Sequence, residues 1–145
     1  MKLTNNGTVI LSASDLTAAS TCEWAFVRKL EFTLGIGSEP PSTEDPMLAI
    51  TAELGLAHEQ RVLEKLKSEY GDVAEIPDPK ESPGDYLERL QHSHEETLTA
   101  LHARRKVIFQ AAFYREDFQG FADFLIWQDE GYYQVVDTKL ARSAK

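Results

Sequence analysis

Near residue 106 the spacing of apolar residues changes from a repeat of three and four to a repeat of two, and that change divides the chain. Before it, three lines recur at helical spacing: Leu16, Ala19, Ser20, Glu23, Val27 and Leu30; then Leu48, Ala52, Leu56, Val62 or Leu63, Leu66 and Tyr70; then Leu87, Leu90, His94, Leu98 and Leu101. They predict helices over about 14–31, 47–70 and 85–103. Ser12, three residues before Asp15, resembles a capping box for the first helix, with Ser14 as a rival cap. Pro- and Gly-rich loops at residues 35–46 and 77–84 separate the helices. Beyond the change, about 106–114, 118–127 and 132–140 are rich in aromatic and branched residues and read as strands. Gln128-Asp129-Glu130-Gly131 predicts a tight turn and an antiparallel hairpin. The expected class is α/β (α+β), with N-terminal helices followed by a curved three-strand antiparallel meander.

A chain of 145 residues fits one domain. Its single cysteine, Cys22, excludes an intramolecular disulfide and a cysteine-cluster metal site within these residues, and it reads as a small buried hydrophobe. No apolar run approaches the ~18 residues that span a bilayer, and the opening residues carry no signal-peptide pattern. A cytoplasmic location without membrane attachment is therefore expected. The net charge of -9, from 24 acidic and 15 basic residues, argues against holding nucleic acid through bulk charge. Positive charge is local instead, at Arg104-Arg105-Lys106 and at Lys139, Arg142 and Lys145.

Strand alternation places Phe121, Asp123, Leu125 and Trp127 on one face, and Tyr133, Val135, Asp137 and Lys139 on one face of the next strand. Closing the hairpin through 128–131 pairs Trp127 with Tyr133 and Leu125 with Val135, and sets Asp123 opposite Asp137. Two adjacent carboxylates repel and are costly to desolvate, and a divalent cation removes both penalties. Oxygen ligands suit magnesium or manganese. Lys139 would supply a fixed positive charge beside such a metal. On the second helix, Glu59 falls almost on the apolar line, an awkward place for a carboxylate without a partner. Gly55 lies beneath His58 and Glu59 and leaves room for another element to approach. His92, His94 and His102 make no metal pattern.

The order Gly55-x-x-His58-Glu59, Gly120-x-x-Asp123, turn, Asp137-x-Lys139 resembles the PD-(D/E)xK nuclease superfamily, and within it the RecB-like branch. Leu11 to Leu16, Cys22, Trp24 and Phe26, Gln110 to Phe113, and Asp137 to Arg142 with Lys145 extend the likeness over nearly the whole chain. The resemblance implies a restriction-endonuclease-like core and a metal held by His58, Asp123, Asp137 and the carbonyl of Thr138. Lys139 would be the catalytic lysine, with Asp123, Asp137 and Glu59 in the catalytic group. Gln110, Arg142 and Lys145 would contact the substrate, a DNA phosphodiester. It further implies a nuclease domain of which residues 1–145 are the N-terminal portion, its C-terminal part missing, joined in the parent protein to a helicase-like or second nuclease domain. An iron–sulfur cluster would arise only in such a longer parent, with Cys22 as its early ligand.

Metal-dependent DNA hydrolysis in repair or defence is the expected function. The alternative is a catalytically inactive nucleic-acid-binding or structural module, and a zinc hydrolase is poorly served because Lys139 fits phosphoryl chemistry better. The three upstream helices can cover one face of the meander, so the far face and one edge are expected to stand bare. This predicts a segment inactive alone, completed by a helix opening at Arg142 and Lys145, or by a homodimer.

Overall fold

The computed structural model describes residues 1–41, 46–80 and 84–138, the side chains of Pro46, Leu48 and Ala49 excepted. The chain runs β1 (Lys2–Leu3), β2 (Val9–Ser12), α1 (Ala13–Thr21), α2 (Glu23–Thr33), α3 (Pro46–Tyr70), β3 (Val73–Glu75), α4 (Tyr86–His102), β4 (Val107–Arg115), β5 (Phe118–Trp127) and β6 (Tyr133–Val136). The sheet order is β1-β2-β5-β4-β3, with β6 also pairing β5.

This overturns the expected layout of helices followed by a three-strand meander in a restriction-endonuclease-like core. Three strands precede the meander, and two of the pairings, β2 with β5 and β3 with β4, are parallel. The result is a mixed six-stranded sheet interleaved with four helices. β1, β2 and β3 hold two, four and three residues, too few for a period of two to declare itself. Parallel neighbours need a long crossover; α4 supplies the one between β3 and β4.

The helix expected over 14–31 is two helices, because Cys22 is extended at φ -156° and ψ 98°. Cys22 is exposed rather than buried, and Leu16 and Val27 stand 54% and 46% exposed on the same pair of helices. Thus α1 and α2 pack chiefly on each other.

Both faces of the central hairpin are covered, which corrects the expectation of a bare far face. Leu63 and Leu66 of α3 pack on Val107 and Phe124, with Phe109, Ile126 and Val136 around them. On the other face Ala100 and Leu101 of α4 pack on Ile108, Leu125 and Ile76. The buried stripe of α4 is Leu90, Ser93, Thr97 and Ala100, turned from the leucine line read in sequence. Its polar members are satisfied by the sheet edge. Beyond the end of β3, the N–H of Ala112 donates to Thr97 Oγ1 at 3.0 Å and that of Tyr114 to His94 Nδ1 at 3.4 Å. Ser93 Oγ donates to the Pro77 carbonyl at 2.7 Å. No helix among the described residues is long and apolar enough to cross a membrane.

Asp15, 1% exposed, anchors the N-terminal unit. It accepts from the Ser12 N–H at 3.0 Å, the reach-back half of a capping box, and from Ser12 Oγ at 2.8 Å. The Met1 ammonium lies 2.6 Å and Lys29 Nζ 3.3 Å away. Burial pushes its carboxyl up, but the Met1 hydrogen bond, Ser12, the Met1 charge and Lys29 outweigh that and hold it at about 2, against the usual 3.8. The folded state therefore binds this proton less readily than the unfolded chain. Asp15 adds about 2 kcal/mol above pH ~4, lost progressively as pH falls toward 2. Asp15→Asn is expected to lower the urea midpoint clearly at neutral pH and much less near pH 3; an equal loss at both values would contradict this.

Candidate functional site

The β4–β5 ladder pairs every facing residue from Val107↔Ile126 to Arg115↔Phe118 except one pair, Gln110 and Asp123. Gln110 has φ of 57°, the left-handed region that costs a non-glycine residue roughly 1 kcal/mol or more. Alternation slips at this point in both strands. Ile108 and Ala111, three apart, share the cluster beneath α4, as do Ala122 and Leu125 opposite them. Asp123 therefore does not simply follow Leu125 and Trp127 onto one face, as strict alternation would have it.

The Gln110 side chain reaches α3, where Nε2 donates to Glu59 Oε1. This is the partner that the awkward position of Glu59 calls for. Burial raises the Glu59 carboxyl above its usual range; the Asp123 charge raises it further, the Gln110 hydrogen bond opposes, and Asp137 adds a smaller push. Charges from the middle of β5 and from just past β6 thus both reach the carboxylate on α3. Gln110→Gly should outlast Gln110→Ala by about 1 kcal/mol, because both lose the hydrogen bond but only alanine retains the left-handed strain. Equal urea midpoints would mean that the backbone relaxes once the side chain is gone.

The β5–β6 register pairs Trp127 with Tyr133 and Leu125 with Val135, as expected, and ends at Phe124↔Val136. Asp137 is the next residue, and Thr138 then turns onto Asp123. Its N–H and Oγ1 both donate to Asp123 Oδ2, at 2.8 and 3.0 Å. Asp123 Oδ1 takes no hydrogen bond among the described residues. The hairpin turn closes through Gln128 N–H to the Tyr132 carbonyl at 2.8 Å, with Gly131 at φ 93°.

The second edge of β5 is shared. β2 pairs at Phe118 and Gln119, β6 at Phe124 to Trp127, and among the described residues no strand pairs between them at 120–123. Asp123 sits in that gap. Beside it, a groove of about 600 Å³ runs between α3, the end of β3 and the interior of β4, lined by Glu59, Gln110, Phe109, Glu75 and Asp78. Glu75 is neutralised by Lys67 at 2.9 Å.

His58 is half-buried and makes no hydrogen bond or ion pair among the described residues. Gly55 meets nothing within 4 Å of where a Cβ would stand among the described residues, so none of them makes the close approach expected there. Among the described residues, no group of three or more His, Cys, Asp or Glu is arranged to hold a metal ion. The donors themselves are of the right kind for a hard divalent cation: carboxylate oxygens of Glu59, Asp123 and Asp137, the latter two charges both reaching Glu59. Lys139, Arg142 and Lys145 lie outside the described residues. Sequence reading missed Asp78, Glu75 and the left-handed Gln110; for the last, a Gln facing an Asp across a hairpin was the one available sign.

No family model, curated protein or solved structure matches the chain.

Proposed function

We propose that the chain carries the carboxylate site of a divalent-metal-dependent nuclease of the PD-(D/E)xK, RecB-like kind that hydrolyses DNA phosphodiester bonds. The observation behind this reading is the convergence of Glu59, Asp123 and Asp137, with Gln110 held in a strained conformation to meet Glu59. The Asp123 and Asp137 charges raise the cost of ionising Glu59, and a fold keeps such a group where a cation or a proton is to be handled. The motif order read in the sequence adds to it. Asp123, Asp137, His58 and the Thr138 carbonyl would hold magnesium or manganese. A bound divalent ion supplies a water of lowered pKa and neutralises charge on the phosphate.

The chain's own residues do the rest. Thr138 fixes Asp123 through Oδ2 and leaves Oδ1 to a ligand. Gln110 and the half-buried surroundings keep Glu59 turned toward the groove. Lys139, next in sequence after Thr138, would bring an ammonium to the phosphate. Work on DNA in repair or defence, in the cytoplasm and beside a helicase-like or second nuclease domain, belongs to the same reading.

The second reading is a nucleic-acid-binding module without chemistry, favoured by the lack of an assembled metal-holding group among the described residues. Calorimetric titration with manganese, followed by incubation with labelled DNA, separates the two. Saturable binding that Asp123→Asn removes supports the nuclease, whereas no binding by the folded protein sinks it.

A further inference from the structure

Six cations of this acidic chain are held by its own acids among the described residues. Arg28, Lys29, Lys67, Arg105, Lys106 and Arg115 each lie within ion-pair distance of a carboxylate. Among the described residues Lys2, Lys80 and Arg89 have no carboxylate within that distance, and these three gather on two aromatic rings. Lys2 Nζ stands 5.3 Å and the Arg89 guanidinium 5.8 Å from the centre of the Tyr86 ring. Lys80 Nζ stands 5.8 Å from the centre of Phe121, itself 41% exposed. Arg89 Nε is buried and has no acceptor among the described residues.

The two rings belong to one surface. The Tyr86 hydroxyl donates to Gln119 Oε1 at 2.6 Å, and Gln119 and Phe121, two apart on β5, alternate onto the same side ~7 Å apart. Among the described acids, the charge of Asp78 reaches Tyr86 and Asp85 is engaged in capping α4. β1, the loop after β3, the start of α4 and β5 thus bring three cations and two rings together. The surface adjoins the carboxylates: Phe121 lies two residues before Asp123, and Asp78 also lines the groove that holds Glu59.

We propose that Lys2, Lys80 and Arg89, with Tyr86 and Phe121, form a binding site for single-stranded nucleic acid. The cations take phosphates, and Phe121 takes the face of one base. A ring that offers its face to a base needs an unstacked one, which a strand supplies and a duplex does not. The assignment rests on the nuclease reading for its direction, since the strand held here leads to Asp123.

The test is a fluorescence-anisotropy titration of a labelled oligothymidylate, and of a duplex of equal length, with the whole chain in EDTA over a range of salt. The single strand is expected to bind more tightly than the duplex. Lys80→Ala and Arg89→Ala should each reduce the slope of log Kd against log salt by about 0.7. Phe121→Ala should weaken binding on the order of 10-fold at every salt, with the slope unchanged, and Phe121→Trp should restore it. Melting by circular dichroism identifies any variant that has merely unfolded, and the exposed Lys80 and Phe121 keep the test open if Arg89→Ala does so. Equal binding of duplex and strand, or variants at Lys80 and Phe121 that bind as the parent does, overturns the proposal. A protein that binds strands but neither takes manganese nor cleaves DNA keeps this site and loses the nuclease reading; one that cleaves while indifferent to Lys80 and Phe121 does the reverse.

Discussion

Asp123→Asn is expected to lower manganese-dependent DNA cleavage on the order of 1,000-fold while leaving the metal-free protein as stable as its parent, or slightly more so. Asparagine keeps an oxygen that can accept from the Thr138 N–H and hydroxyl, which both point at a single oxygen of Asp123. Local structure is therefore preserved. What disappears is one of the charges that push the Glu59 carboxyl upward, so the metal-free site is relieved rather than injured. A residue kept for stability would show the opposite pattern, a lower melting temperature with activity falling only as far as unfolding requires. Paired measurements decide the matter: urea midpoints in EDTA, and cleavage with manganese. A large drop in midpoint, or cleavage at the parental rate, would each count against the assignment.

Lys139→Ala should act on turnover alone. Its ammonium is assigned to the phosphate rather than to the metal, so manganese affinity should stay close to the parental value while cleavage falls by about 100-fold. The separation from Asp123→Asn is the informative part, because one variant loses the ion and the other loses only what happens once it is bound. Calorimetry and single-turnover cleavage on the two proteins give both quantities. Should Lys139→Ala cleave as fast as the parent, the lysine has no part in the chemistry.

The local parts of this molecule could be read from sequence, and the long-range parts could not. The turn at 128–131 and the register through Trp127↔Tyr133 followed from a short loop between two alternating runs, where turn length leaves little freedom. The break at Cys22 was hidden because apolar residues keep helical spacing on both sides of it. The α4 stripe was misplaced because Ser93 and Thr97 are buried for their hydrogen bonds to the Pro77 carbonyl and the Ala112 N–H, a reason that hydrophobic counting cannot see. Within the site, strand alternation points to Asp123 and Asp137 and the apolar line of α3 to Glu59, whereas Gln110 enters only through the resemblance. The direction in which Asp123 points was not recoverable, since it depends on a paired slip at Gln110 that alternation forbids. Lys2, Lys80, Tyr86 and Arg89 carried no sequence sign, being scattered over the chain and joined only by the fold.

The attachment of β2 to β5 rests on two residue pairs, Leu11↔Phe118 and Ser12↔Gln119, and on the Leu11 N–H to the Asp117 carbonyl at 2.8 Å. Those partners lie more than a hundred positions apart, whereas β4 and β5 meet across two residues. Ring-closure entropy therefore orders assembly: the hairpin forms first and the N-terminal strand docks late. A strand held so briefly is also the natural place for partial opening, well below the free energy of global unfolding. When it opens, β1 and Lys2 leave with it, and one flank of the gap around Asp123 widens. The order in which the chain folds thereby becomes the order in which its candidate site can breathe.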